Sequence, residues 1–160
     1  MEQSQKPLIE HIPDFLDWLE IEKGLSSKSQ ENYNRFLKKF LDWLKINNLG
    51  NIKPHELTSD NVWKYRVFLS RQYLPKTNKP LKKTTQNYYL IALRSLLNFF
   101  ADRDIISLPT EKIKLAMDKG DREVRFLSIE QLKKLFSTPK TSMTQGLRDR
   151  AILEVFFSTG

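Results

Sequence analysis

The stretch Thr84-Thr-Gln-Asn-Tyr-Tyr-Leu-Ile-Ala-Leu-Arg-Ser-Leu-Leu-Asn-Phe-Phe100 decides the fold. On a wheel of 100° per residue its apolar side chains, among them Leu90, Leu93, Leu96, Leu97, Phe99 and Phe100, cover much more than half the circumference. A helix that apolar belongs at the centre of a bundle, with other helices laid around it. Thr84 or Thr85 reads as its N-cap, and the pattern runs to about residue 103.

Three helices precede it. Ile9, Ile12, Phe15, Leu16 and Leu19 recur at helical spacing over 8–22, with Gly24 as the stop; Pro13 is tolerated only near the first turn, so a start later than residue 8 is the alternative. Ser27-x-x-Gln30 reads as a capping box that opens a second helix over 28–47. Its core stripe is Tyr33, Phe36, Leu37, Phe40, Leu41 and Leu44, and Asn48 to Gly50 end it. Thr58 caps a third helix over 59–74, whose apolar face, with Val62, Trp63, Tyr65, Val67, Phe68 and Leu69, is less clean. Pro75-Lys-Thr-Asn-Lys-Pro80 is a loop of turn formers. No strand-like alternation interrupts these patterns, so residues 1–105 read as an all-α, four-helix domain.

The periodicity lapses over 106–125, which predicts an interdomain linker, with a short helix over Glu111–Met117 as the alternative. Ser128-x-x-Gln131 is a second capping box, opening a helix through Phe136; Pro139–Gly146 is loop, and Leu147–Phe157 is a last helix. That last helix carries Ile152, Leu153, Val155, Phe156 and Phe157 with little left to pack on. Their exposure would forgo roughly 7–15 kcal/mol of burial, so residues 126–160 are expected to begin a second domain that continues beyond Gly160.

Composition narrows the function. The 160 residues hold 27 Lys plus Arg against 19 Asp plus Glu, a net charge of +8 that suits a polyanionic partner. The charge is uneven: residues 1–22 carry one Lys against six acids, whereas 23–105 carry 16 basic residues against six acids. A basic folded region suggests a shaped binding surface or a lysine-rich solubilising one. No cysteine is present, which excludes disulfides, Cys-based zinc sites and a Cys nucleophile. His11 and His55 are too few and too far apart to suggest a metal site, and no apolar run of membrane-spanning length occurs. The acidic N-terminal stretch lacks the apolar segment of a signal peptide, so a soluble, cytoplasmic protein is expected. No Gly-rich phosphate loop, HExxH motif, nucleophile elbow or paired-carboxylate signature is present. Tyr33, Tyr65, Tyr73, Tyr88 and Tyr89 all fall within the helical pattern and read as packing residues.

Two polar faces remain as candidates for DNA contact. Lys28, Asn32, Arg35 and Lys39 fall within about 60° of one another on the second helix, opposite its aromatic stripe. Arg and Lys can take phosphates or guanine edges and Asn can take adenine, although a solvated polar face has the same pattern. The fourth helix opens with Lys82, Lys83, Thr84 and Thr85, cations and hydroxyls beside free backbone N–H groups, which suits an anion. Farther along, Asn87, Arg94 and Asn98 share one narrow polar strip interrupted by Ile91. Ordinary capping and an Arg paired with a neighbouring acid are the structural alternatives.

Leu147-Arg-Asp-Arg-Ala-Ile-Leu-Glu-Val-Phe-Phe-Ser-Thr-Gly160 resembles the segment that opens the catalytic domain of tyrosine recombinases, the phage integrase family, and in particular its Xer-type chromosome-dimer resolvases. Phe126-Leu-Ser-Ile-Glu-Gln-Leu-Lys-Lys-Leu resembles the helix entry before it. Leu25-Ser-Ser-Lys-Ser-Gln-Glu-Asn-Tyr33 and Thr84–Phe100 are similar to the second and fourth helices of the family's core-binding, SAM-like domain, so the resemblance covers nearly the whole chain. It implies a core-binding bundle over 1–105, a linker over 106–125 and the start of a catalytic domain over 126–160. The partner it implies is double-stranded DNA, clamped between the two domains, with other recombinase protomers on paired sites and neither metal nor cofactor. The DNA-facing residues it implies are Lys28, Asn32, Arg35 and Lys39, then Lys83, Thr84, Thr85, Asn87 and Arg94, with Lys119, Arg122 and Arg125 crossing the backbone from the linker.

The family's first catalytic arginine stands in a Thr-Gly-Leu-Arg motif, and this sequence stops at Thr159-Gly160. The later lysine, the His-x-x-Arg pair, the second His or Trp and the tyrosine nucleophile would lie farther on. In such an enzyme the arginines stabilise charge on the scissile phosphate while the tyrosine attacks it and forms a 3′-phosphotyrosyl link. This chain is therefore expected to bind DNA and cut nothing, whether its parent resolves chromosome dimers, integrates a phage or moves a transposon. A stand-alone helical interaction module, docking through its last helix, is the alternative.

Overall fold

The computed structural model describes residues 2–73, 80–116 and 126–159. They fall into two compact units, one ending in the region of residues 117–125 and the other containing residues 126–159. Each is described by itself.

The first unit is built from four α-helices: α1 (Ile12–Ile21), α2 (Ser27–Ile46), α3 (Ser59–Val67) and α4 (Lys83–Asp102). Seven residues of α4, from Leu90 to Phe100, are buried, and α4 packs against α1, α2 and the turn that follows α3. The all-round apolar pattern thus produces the central helix that it predicts. Phe15 and Trp18 from α1 meet Phe99 of α4 at ring-centroid distances of 5.9 and 5.8 Å. Phe40 of α2 meets Tyr65 of α3 edge-on at 4.9 Å. Aromatic pairs in such offset and edge-on geometries each add about 0.5–1.5 kcal/mol beyond area burial. The segment before α1 is tied down by backbone bonds from Leu8 N–H to Ile52 O (2.8 Å) and from Ile106 N–H to Glu2 O (2.9 Å).

Several ends differ from the sequence expectation. A 3₁₀ turn over Leu8–His11 precedes α1, because Pro13 fits only the first turn of an α-helix. Ser26, one residue before the expected box, is the N-cap of α2 and accepts a bond from Ser29 N–H. Neither Thr84 nor Thr85 caps α4, which begins at Lys83 with Lys82 in the cap position. There the Gln86 side-chain amide donates back to Leu81 O at 2.8 Å. The third helix is shorter than expected: after Val67 the backbone widens into a π-turn over Phe68–Gln72, closed by Tyr73 N–H to Phe68 O at 2.8 Å. Gly24, with φ of 61°, ends α1 in a left-handed conformation that its missing Cβ makes inexpensive.

The chain after α4 does not leave the bundle at residue 105. A 3₁₀ turn at Thr110–Lys112 returns it to α4, and Ile113 is buried in the core. Asn87 of α4 holds Ala116 by both backbone groups: its amide donates to Ala116 O and its carbonyl accepts from Ala116 N–H, each at 2.9 Å. The stretch described as far as Ala116 is therefore packed structure, whereas a linker was expected; the remainder of 106–125 lies outside the described residues.

The second unit pairs α5 (Ile129–Ser137) with α6 (Thr144–Thr159). The expected capping box opens α5, with Gln131 N–H to Ser128 Oγ at 3.2 Å and Ser128 N–H to Gln131 Oε1 at 2.9 Å. Phe136 meets Phe157 edge-on at 5.6 Å. A side chain at Gly146 would put its Cβ 2.0 Å from the Lys140 carbonyl oxygen, so the approach of the loop to α6 requires glycine.

Candidate nucleic-acid interface

The geometry of α2 turns its polar face into one wall of a groove. Its core stripe puts Leu37, Phe40 and Leu44 inside and leaves Tyr33 and Phe36 half-buried at the edge. Beside them, Asn32 and Arg35 stand on the rim, with an Arg35 Nη2 to Asn32 Oδ1 hydrogen bond of 3.1 Å. The Arg35 guanidinium lies 5.1 Å from the Phe36 ring centroid, and Lys39 Nζ lies 4.5 Å from that of Tyr73. Both aromatic faces hold a cation in place without neutralising it.

The opposite wall comes from the first turns of α4. Thr85, Tyr88, Tyr89 and Ile91 face Asn32, Tyr33, Arg35 and Phe36 across a groove of about 750 Å³. Tyr88 is stacked parallel to Phe36 with centroids 6.0 Å apart, and Tyr89 meets the same ring edge-on at 4.9 Å. Burial, then a hydrogen bond with Tyr73, pushes the Tyr89 phenol up to about 12, so it stays neutral. Lys82, Lys83 and Thr84 are exposed at the N-terminal end of this wall.

Electrostatics separate this region from the rest of the bundle. Around α1 and the end of α4 the charges are matched, with Lys6–Asp14 at 3.0 Å, Lys23–Asp102 at 3.5 Å and Arg103–Glu22 at 2.8 Å. Among the described residues no carboxylate forms an ion pair with Arg35, Lys39, Lys82 or Lys83. Lys28 is the exception on the α2 face: it holds Glu31 at 2.6 Å and keeps that carboxyl below its usual range. The groove thus offers a cationic, hydrogen-bonding rim over aromatic walls, an arrangement suited to a polyanion.

The sequence-predicted residues divide accordingly. Asn32, Arg35 and Thr85 line the groove, Lys39 stands on Tyr73 at its side, and Lys28 is engaged with Glu31. Asn87, expected to face DNA, instead holds Ala116, and Asn98 of the same strip lines a hollow walled by the returning chain at Ser107–Glu111. Arg94, one turn before Asn98, is half-buried. Lys119, Arg122 and Arg125 lie outside the described residues. Sequence reasoning missed Tyr88, which was expected to pack in the core and is 56% exposed. The interruption of the polar strip by Ile91 was the available signal, since that residue also faces the groove.

Three helices around a buried α4, with a polar-rimmed groove between α2 and α4, define a SAM-like helical domain. The chain belongs to the family described as phage integrase, N-terminal SAM-like domain, whose sequence model matches residues 12–104. It is similar to the tyrosine recombinase XerC of Natranaerobius thermophilus, 34% identical over 92% of this chain and 46% of that protein. The XerC of Pelobacter propionicus is 32% identical over 97% of this chain and 49% of its own length. The chain therefore spans about half the length of the curated relatives it matches. Among solved structures, the N-terminal domain of a phage integrase/site-specific recombinase from Haloarcula marismortui superposes with a TM-score of 0.57. That match covers 71% of this chain and all of the other at 17% identity, and it supports the fold alone.

Proposed function

We propose that this chain is the DNA-binding portion of a site-specific tyrosine recombinase, with the α2/α4 groove as its contact with double-stranded DNA. The observation that carries the reading is the meeting of two independently predicted polar surfaces, Asn32 and Arg35 on α2 and Thr85 on α4, in one groove. Its cations lack carboxylate partners among the described residues, so phosphates would be their first counter-charges. Arg35, Lys39, Lys82 and Lys83 bind backbone phosphates in this reading, while Asn32 and Thr85 reach toward base edges. Lys119, Arg122 and Arg125 are further candidates for phosphate contact in this reading. Residues 126–159 open the catalytic domain in this reading. Further protomers on paired sites are its protein partners, and it works in the cytoplasm.

The test is a titration of the 160-residue chain into a dye-labelled duplex at several salt concentrations. The logarithm of the binding constant should fall linearly with the logarithm of salt, by about 0.9 for each phosphate neutralised. Affinity that is unchanged between about 50 and 200 mM salt would remove the groove as a phosphate-binding surface.

A protein-docking reading draws on α6, where Val155, Phe156 and Phe157 are 60–70% exposed. Stable capture of a helical partner with no affinity for duplex DNA would favour it.

A further inference from the structure

The π-turn after α3 builds a second cationic surface that the groove does not use. In a continuous α-helix Arg66 and Arg71, five residues apart, would project about 140° from each other. The wider turn over Phe68–Gln72 brings both to one hollow of about 190 Å³, shared with Trp63 and with Gln86 of α4. π-turns of this kind recur at functional sites. Trp63 is 61% exposed there, whereas Trp18 and Trp43 are buried in the core. Two guanidinium groups, an indole N–H and a side-chain amide all offer donors. Asp60, the one acid in α3, is already paired with Lys64 at 2.7 Å.

Resting on the proposed DNA-binding role of the α2/α4 groove, we infer that the Trp63–Arg66–Arg71 hollow is a second contact with the phosphate backbone of the same duplex. Two observations commit it to DNA. All of its charge is positive, which complements a phosphate strand. It is also continuous with the groove: Thr85 lines the groove and the next residue, Gln86, lines the hollow, so the first turn of α4 with Lys82 and Lys83 stands between them. A helix with its side chains is about 10–12 Å across, close to the width of a DNA major groove. When the first turn of α4 sits in that groove, one phosphate strand passes the α2/α4 side and the other passes the Trp63 side.

Trp63 supplies its own reporter. With Trp18 and Trp43 only 3% and 4% exposed, Trp63 accounts for most of the fluorescence that acrylamide can quench. Adding saturating duplex to the 160-residue chain should lower the quenching constant by about half or more, an order-of-magnitude expectation for covering one exposed indole. The variant R66A/R71A, checked for its helical circular dichroism, should still bind the duplex but with a salt slope smaller by about two. In that complex Trp63 should remain open to acrylamide. Salt-dependent duplex binding by the unaltered chain, with quenching unchanged and the R66A/R71A slope equal to its own, would overturn this second contact and leave the groove standing. Absence of duplex binding by the unaltered chain would overturn both.

Discussion

The two units solve the same problem, burying apolar helix faces, to different degrees. In the first, Phe15, Phe40, Tyr65 and Phe100 are fully buried and every helix contributes to one core. In the second, Gly146 is the only buried residue among those described, and Phe126, Ile129, Phe156 and Phe157 are 65–87% exposed. The first unit therefore holds its own fold, and on it the rim cations are displayed from a rigid base. The second has a helix pair and a capping box but little core, so its helices are stabilised mainly by local bonds.

The largest expected effect follows from that contrast. Phe100→Ala should destabilise the first unit by about 3–5 kcal/mol, because it leaves a cavity beside His11 and Phe99. Denaturant unfolding followed by circular dichroism would measure it. Phe156→Ala, an equally large truncation in α6, should change stability by about 0.5 kcal/mol or less. Equal costs at the two positions would show that the second unit has a real core of its own.

Asn87→Ala is expected to come next. It strands the Ala116 N–H and C=O and should cost about 1–3 kcal/mol, while the salt slope of duplex binding stays unchanged. A lower slope without loss of stability would return Asn87 to the DNA surface.

A smaller effect concerns acid. His11 is buried against Phe100 with its ring 3.1 Å from Ser4 Oγ, and burial lowers its pKa below the usual 6.5. The unfolded chain then takes up a proton near 6.5 that the folded chain still refuses. Stability should be full above that pH, fall as the pH drops through and below 6.5, and level off once the folded-state value is passed. A thermal melt series from pH 8 to pH 5 would show the decline, and His11→Gln should flatten it.

Local grammar carried much of the fold into the sequence. The box at Ser128 and Gln131, the stop at Gly24 and the apolar girth of α4 were all legible because each depends on neighbours within a turn or two. The start of α2 was one residue off because Ser26 and Ser27 are equally good caps on paper, and only backbone geometry separates them. The π-turn had no sequence signal, since Phe68–Gln72 continues the helical composition of α3. The groove was half legible. The spacing of Asn32, Arg35 and Lys39 selects one face, but its partner wall depends on how α2 and α4 pack. The partner of Asn87 was not legible for the same reason: it lies 29 residues downstream in a stretch without periodicity.

The most direct measurement is the affinity of the R35A/K39A variant for duplex DNA, set beside that of the unaltered chain at about 0.1 M salt. Both side chains lie outside the core, so the variant should keep its melting behaviour. If each cation neutralises one phosphate, binding should weaken on the order of 10- to 60-fold and the salt slope should drop by about two. A folded variant that binds as tightly, with the same slope, would contradict the assignment of the α2/α4 groove as the DNA-binding surface.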